Sequence, residues 1–178
     1  MKGIRFSDTD DFNEIHDSIN IMLLENYHLI VEKIIRSFNS TNYRFILKSS
    51  TITGEPRICK IAFPDAVISI DLEVTFPLHN IRREIIFKVA VEIKSHIKSF
   101  GETLRQLQIY RECLEIYNNR EWRKKTGQQM PFSSFIPVIL ITPDHRFDDA
   151  FRSQGFDVLD PSFLGMSQTK SSLDDFQE

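Results

Sequence analysis

The stretch "VAVEIKSHIKSFGETLRQLQIY", Val89 to Tyr110, changes its period partway along. It opens as an apolar run and then sets Glu92 and Lys94 two residues apart. In a strand, side chains at i and i+2 point the same way, roughly 7 Å apart, so Glu92 and Lys94 share one face while Val91 and Ile93 take the other. After Ser99 the spacing lengthens. Leu104, Leu107, Ile109 or Tyr110, Leu114 and Tyr117 recur at three and four residues, which predicts a helix from about Phe100 to Arg123, with Gly127 marking its exit. A strand that ends in an acid and a base runs directly into a long helix.

Upstream, Phe12 to Phe38 carries Ile15, Ile19, Met22, Leu23, Ile30, Ile34 and Ile35 at helical spacings and predicts one or two helices. "NYRFILKSS" has strand composition, and "TGEP" reads as a turn. In "PDAVISIDLEVTF", Val67, Ser69 and Asp71 alternate with Ile68, Ile70 and Leu72, which predicts a strand with one wetter face. "PLHNIRRE" is expected to break it before a second strand, Ile85 to Lys94, its hairpin partner. Downstream, "FIPVILITP" is a short apolar strand of the kind buried on both faces, and "HRFDDAFRSQGFDVLD" reads as helix, glycine turn and final strand. The order helix, strands, helix, strand, helix, strand predicts an α/β fold with a mixed central β-sheet flanked by helices. Residues 1–164 are expected to form a single domain. Residues 165–178, with few core-forming side chains, are expected to form a flexible polar tail.

Composition limits the setting. A chain of 178 residues, 41% hydrophobic with 15 Phe, can build a proper core. A net charge of −3 gives no global basic signature and counts against a sequence-independent DNA coater, while leaving local patches open. Cys59 and Cys113 form no CxxC pair, so neither a disulfide framework nor a zinc or iron–sulfur site is suggested, and a reducing cytoplasm is the expected location. No run approaches the ~20 apolar residues of a membrane span, and the first eleven residues are polar and acidic rather than signal-like.

Three features stand in register with the opening stretch. Pro64-Asp65 heads a predicted strand, Glu92-Ile93-Lys94 follows after 26 residues, and Gln106 and Tyr110 lie four apart on the long helix. This arrangement resembles the PD-(D/E)xK nuclease superfamily, and Gln106-xxx-Tyr110 is similar to the QxxxY motif of its RecB-type members. The resemblance spans roughly Glu25 to Asp160 and rests on about seven positions. It implies a restriction-endonuclease-like core and a magnesium-dependent deoxyribonuclease, with manganese as a substitute ion. Asp65 and Glu92 would be metal ligands and the Ile93 carbonyl a third. A first-helix carboxylate would complete the site, with Glu25 and Glu32 favoured over Glu14. Asp71 and Glu73 share the strand parity of Asp65, which is preferred because it follows Pro64. The cysteines of the iron–sulfur relatives are absent.

The chemistry accounts for each residue type. Phosphodiester hydrolysis pits an anion against an anion, and a divalent ion both neutralises charge and lowers the pKa of an attacking water. Mg²⁺ takes hard oxygen ligands and keeps several waters, so two carboxylates and a carbonyl suffice. Lys94 would orient or deprotonate the water and stabilise the developing charge. Gln106 and Tyr110, on one helical face, would reach the scissile phosphate or support Lys94. Alone, a Glu-x-Lys at a strand end is a solvated ion pair worth under about 1 kcal/mol; in company with Asp65 and Gln106 it becomes a candidate site. Arg120, Arg123, Lys124 and Lys125 form a charge run of the solvated kind found at helix ends. The histidines show no metal-binding spacing, and His96 alone lies near the candidate site in sequence.

Other chemistries lack their signals. There is no GxxxxGK[ST] loop, no GxGxxG after a strand and no GxSxG elbow. The rival reading is a catalytically silent nuclease-fold module that binds nucleic acid or a protein partner. DNA is the expected partner, and cutting both strands of a duplex suits a two-fold homodimer. In "KSSLDDF", Leu173 and Phe176 resemble the apolar anchors of sliding-clamp-binding peptides.

Overall fold

Alternation along "AVISIDLEVTF" divides the molecule into two layers. The computed structural model describes residues 8–38, 43–76, 81–128, 130 and 137–166. Strand β2 (Ala66–Phe76) sits between β1 (Arg44–Gly54) and β3 (Ile81–Ile93), antiparallel to both. The short strands β4 (Val138–Ile141) and β5 (Asp157–Leu159) extend the sheet in parallel beyond β3, giving the order β1-β2-β3-β4-β5. Ile68, Ile70, Leu72 and Val74 turn to one face, where they join Phe87, Val89, Val91, Ile139 and Ile141 under the 31-residue helix α1 (Asp8–Phe38). Val67, with Ala90, Val138 and Leu140, turns to the other. There helix α2 (Phe100–Thr126) and the short α3 (Asp148–Ser153) cover the sheet through Leu107, Tyr110, Leu114 and Phe151.

The expected α/β order of elements is present, with differences at its edges. Phe12–Phe38 lies in one helix, not two, and Ile15 on it is exposed rather than core. β3 begins at Ile81, so "IRRE" pairs with β2 instead of breaking the strand. Ser99 caps α2 by accepting from the Glu102 N–H at 3.3 Å. Gly127 ends it with φ 72, a left-handed conformation that favours glycine. The described chain runs past Leu164 to Met166, which packs against the α1 side of the core. Leu173 and Phe176 lie outside the described residues, as do His79 and the first residues of "FIPVILITP".

Of β3, only Ala90–Ile93 pairs with β4, so among the described residues no strand lies beside the earlier part of β3 on that side. The second half of α2 takes that place. Buried Asn118 acts as a one-residue strand, its Oδ1 accepting from Lys88 N–H and its Nδ2 donating to Lys88 C=O, each at 2.9 Å. One turn on, Trp122 crosses the sheet edge and packs with Phe76 and Phe87 in the α1-side core. α2 is thereby fixed along its length, which fixes the side chains on its first turns against the end of β3.

Cys59 and Cys113, expected to stand apart, form a disulfide with a Cα–Cα distance of 6.2 Å. The sequence gives no sign of it because 54 residues separate the two and neither sits in a Cys motif. The pairing joins the β1–β2 connection to α2, and it removes the cysteine argument for a reducing compartment. Among the described residues no helix is long and apolar enough to cross a membrane.

Candidate active site at the carboxyl end of β3

Antiparallel register brings Asp65 to Glu92. Ala66 pairs with Val91, so Asp65, one residue earlier, falls opposite Glu92 at the end of the β2–β3 ladder. Asp65 Oδ2 accepts from the Ile93 N–H at 2.6 Å, which ties its carboxylate to the backbone between Glu92 and Lys94. Glu92 and Lys94 lie on the α2 face of the sheet, as strand parity requires. Their side chains meet in an ion pair, Lys94 Nζ to Glu92 Oε1 at 2.5 Å. The Lys94 N–H donates to the Ile141 carbonyl, so its backbone is held by β4.

From α2, Gln106 and Tyr110 complete the cluster. Gln106 Nε2 donates to Glu92 Oε1 at 2.8 Å and to the Tyr110 hydroxyl at 2.6 Å. That hydroxyl in turn donates to the Phe63 carbonyl at 3.0 Å, two residues before Asp65. The helical pair therefore holds Glu92 and the segment leading into Asp65; Gln106 contacts Glu92 rather than Lys94. Tyr110 is also a core residue, with its ring buried beside Leu107 and Leu114.

The electrostatics are unusual for a salt bridge. The Glu92 side chain is 3% exposed, and its Oε2 is buried without a hydrogen-bond partner. Burial pushes its pKa up, and the neighbouring Asp65 charge adds to this; Lys94, in ion pair and hydrogen bond, pulls the other way without cancelling it. Burial, then the Glu92 charge, also pushes up the Tyr110 hydroxyl, which stays protonated as a donor. A buried carboxylate with one empty oxygen, facing a second carboxylate, is a site that an added cation would stabilise.

The first helix contributes a residue that motif reading passes over. His16 Nε2 lies 3.3 Å from Asp65 Oδ1. Glu25 and Glu32 do not reach this point. They are 9 and 16 residues further along α1, about 13 and 24 Å, and turned roughly 180° and 160° away from His16. Both are exposed, and Glu32 pairs with Arg36 at 3.1 Å. Glu14 is exposed as well. The signal for His16 is its place on the inward stripe Phe12, His16, Ile19, Leu23, where a polar side chain interrupts an apolar series. Asp71 and Glu73 are also out of reach, three and four strand repeats further along β2, and Glu73 is engaged by Lys48 at 3.5 Å and Arg82 at 3.6 Å. His96 turns from the cluster to stack on Phe12 and to face Asp144 at 3.2 Å.

Among the described residues no three His, Cys, Asp or Glu side chains form a ready-made metal cage. Two carboxylates with the rest of the shell left to water is nonetheless an ordinary donor set for Mg²⁺. Asp65, Glu92 through its unpartnered Oε2, and the Ile93 carbonyl between them fit that requirement. No family model, no curated protein and no solved structure matches this chain.

Proposed function

We propose that this protein is a metal-dependent nuclease that hydrolyses phosphodiester bonds of DNA on a restriction-endonuclease-like core. The observation that carries the reading is buried Glu92, with an empty oxygen and a raised pKa, opposite Asp65 and paired with Lys94. A structural ion pair has no need of a second carboxylate at its side. Mg²⁺ bound by Asp65 and Glu92 would neutralise phosphate charge and lower the pKa of an attacking water. Lys94, 29% exposed beside that carboxylate, would hold the water for attack and meet the charge that develops on the phosphate. Gln106 keeps Glu92 Oε1 oriented, and Tyr110 fixes the approach to Asp65. His16 holds the outer oxygen of Asp65.

The test is Mg²⁺-dependent cleavage of linear duplex, single-stranded, circular and branched DNA by the wild type, Asp65→Asn and Glu92→Gln. Cleavage by the wild type alone supports the proposal. Binding without cleavage in all three would instead identify a silent module on the same core.

A further inference from the structure

The connection from β1 to β2, residues 55–65, is short of secondary structure yet held at several points. Arg57 donates to the Cys59 and Lys60 carbonyls, each at 3.1 Å, and Cys59 bridges to Ala62. The Cys59–Cys113 disulfide fastens it to α2, and Tyr110 grips it at the Phe63 carbonyl. On this fastened segment Phe63 is 57% exposed and its neighbour Ile61 72%. Phe63 is the only aromatic among the large exposed hydrophobics of the described residues. One side of its ring carries the Arg57 guanidinium, 5.8 Å from the centroid. Phe63 precedes Asp65 by two residues, at most about 7 Å along the chain.

An aromatic ring kept in water costs free energy unless something covers it. Here the backbone is fixed so that the ring stays out. Over one face of it lies a cation without a carboxylate partner among the described residues. A flat apolar face backed by a guanidinium beside a phosphate-cutting centre matches an unpaired nucleobase and its phosphate: the base stacks and the cation takes the charge.

Resting on the nuclease reading above, we propose that Phe63 is a stacking platform for an unpaired base next to the scissile phosphate. Arg57 contacts the adjoining backbone, so the substrate class is single-stranded DNA or a frayed duplex end. A base inside an intact duplex has no free face to offer, so closed duplex gains nothing from this platform.

Binding measured without divalent ion separates this idea from the cleavage reading. Fluorescence anisotropy with a single-stranded oligonucleotide should show affinity about tenfold weaker in Phe63→Ala and restored in Phe63→Trp, since the stacking of one base is lost with the ring and regained with another aromatic. Affinity for a closed hairpin duplex should not change. Moving a single abasic nucleotide along the strand should find one position that weakens wild-type binding by the same factor and leaves Phe63→Ala unaffected. Arg57→Gln should lower the slope of log affinity against log salt by about 0.7. Equal losses on single strand and duplex, a flat abasic scan, or unchanged affinity in Phe63→Ala would overturn the platform whether or not DNA is cut. If the platform behaves as expected and no substrate is cleaved, the nuclease reading fails alone.

Discussion

Two nearly buried carboxylates lie at the same end of the sheet and are treated in opposite ways. Asp144, just after β4, is 7% exposed at its side chain and fully answered. It accepts from the Ile97 N–H at 2.9 Å and from Arg146 at 2.7 Å, and His96 lies at 3.2 Å. These bonds, the Arg146 hydrogen bond foremost, hold its pKa well below the usual carboxylate range. Glu92, one strand over, is more deeply buried, keeps one oxygen empty, faces another acid and has its pKa raised. Asp144 is a charge that the fold uses, tying the segment after β3 to the segment after β4. Glu92 is a charge that the fold tolerates, and such local inconsistencies concentrate at functional sites.

The sharpest way to break this contrast is to remove each charge without changing shape. Glu92→Gln and Asp65→Asn should each lower Mg²⁺-dependent cleavage by about a thousandfold or more, some 4 kcal/mol in the transition state. Glu92→Gln should leave thermal stability unchanged or slightly higher, because it removes an imperfectly paired buried charge. A Glu92→Gln protein that loses stability as Asp144→Asn does would mean that both carboxylates are structural.

Lys94→Ala comes next. The lysine is not a metal ligand, so single-turnover rate should fall about a hundredfold while the Mg²⁺ concentration for half-maximal activity changes little. It should also leave Glu92 with a still higher proton affinity, since Lys94 lowers it now. An unchanged rate would assign the pair to structure.

Asp144→Asn should cost about 2 kcal/mol, because several donors lose a charged acceptor and the remaining bonds are neutral. In a chain of this size that lowers the melting temperature by roughly 4–8 °C. Any loss of cleavage should be recovered at lower temperature, because Asp144 touches none of the proposed site residues.

How far this contrast could be read in the sequence depends on which distances are local. Strand parity places Glu92 and Lys94 together, and helical spacing places Gln106 with Tyr110. The alternation from Val67 to Val74 separates the two faces of the sheet as observed. Register is what joins Asp65 to Glu92, and a hairpin pattern fixes register where one face is buried. What was not legible is set by long-range packing. Glu25 and Glu32 looked eligible because composition carries no angle; on a continuous helix they turn away, and His16 takes the near end. Asn118 and the Cys59–Cys113 pair owe their roles to where α2 lies on the sheet, which no spacing of their own announces.

The smallest effect, and the one that reads the two carboxylates directly, is the pH dependence of stability. A group contributes a slope wherever folded and unfolded states bind different numbers of protons. Asp144 has a lowered folded pKa, so its contribution is complete above the unfolded carboxyl value near 3.9 and is lost as pH falls below it. Glu92 has a raised folded pKa, so the folded state binds a proton that the unfolded state still lacks. Its contribution is unfavourable at neutral pH and relaxes as pH falls through the folded value, levelling off below the ordinary value near 4.3. The stability difference between wild type and Asp144→Asn should therefore be flat from pH 7 to about 5 and shrink in stronger acid. The difference between wild type and Glu92→Gln should move in favour of the wild type between pH 7 and about 4. Denaturant titrations of the three proteins across that range, without divalent ions, give both differences. Adding Mg²⁺ should erase the Glu92 slope at neutral pH, because a bound cation takes over from the proton. Parallel slopes for the two variants would show that the two carboxylates are held alike.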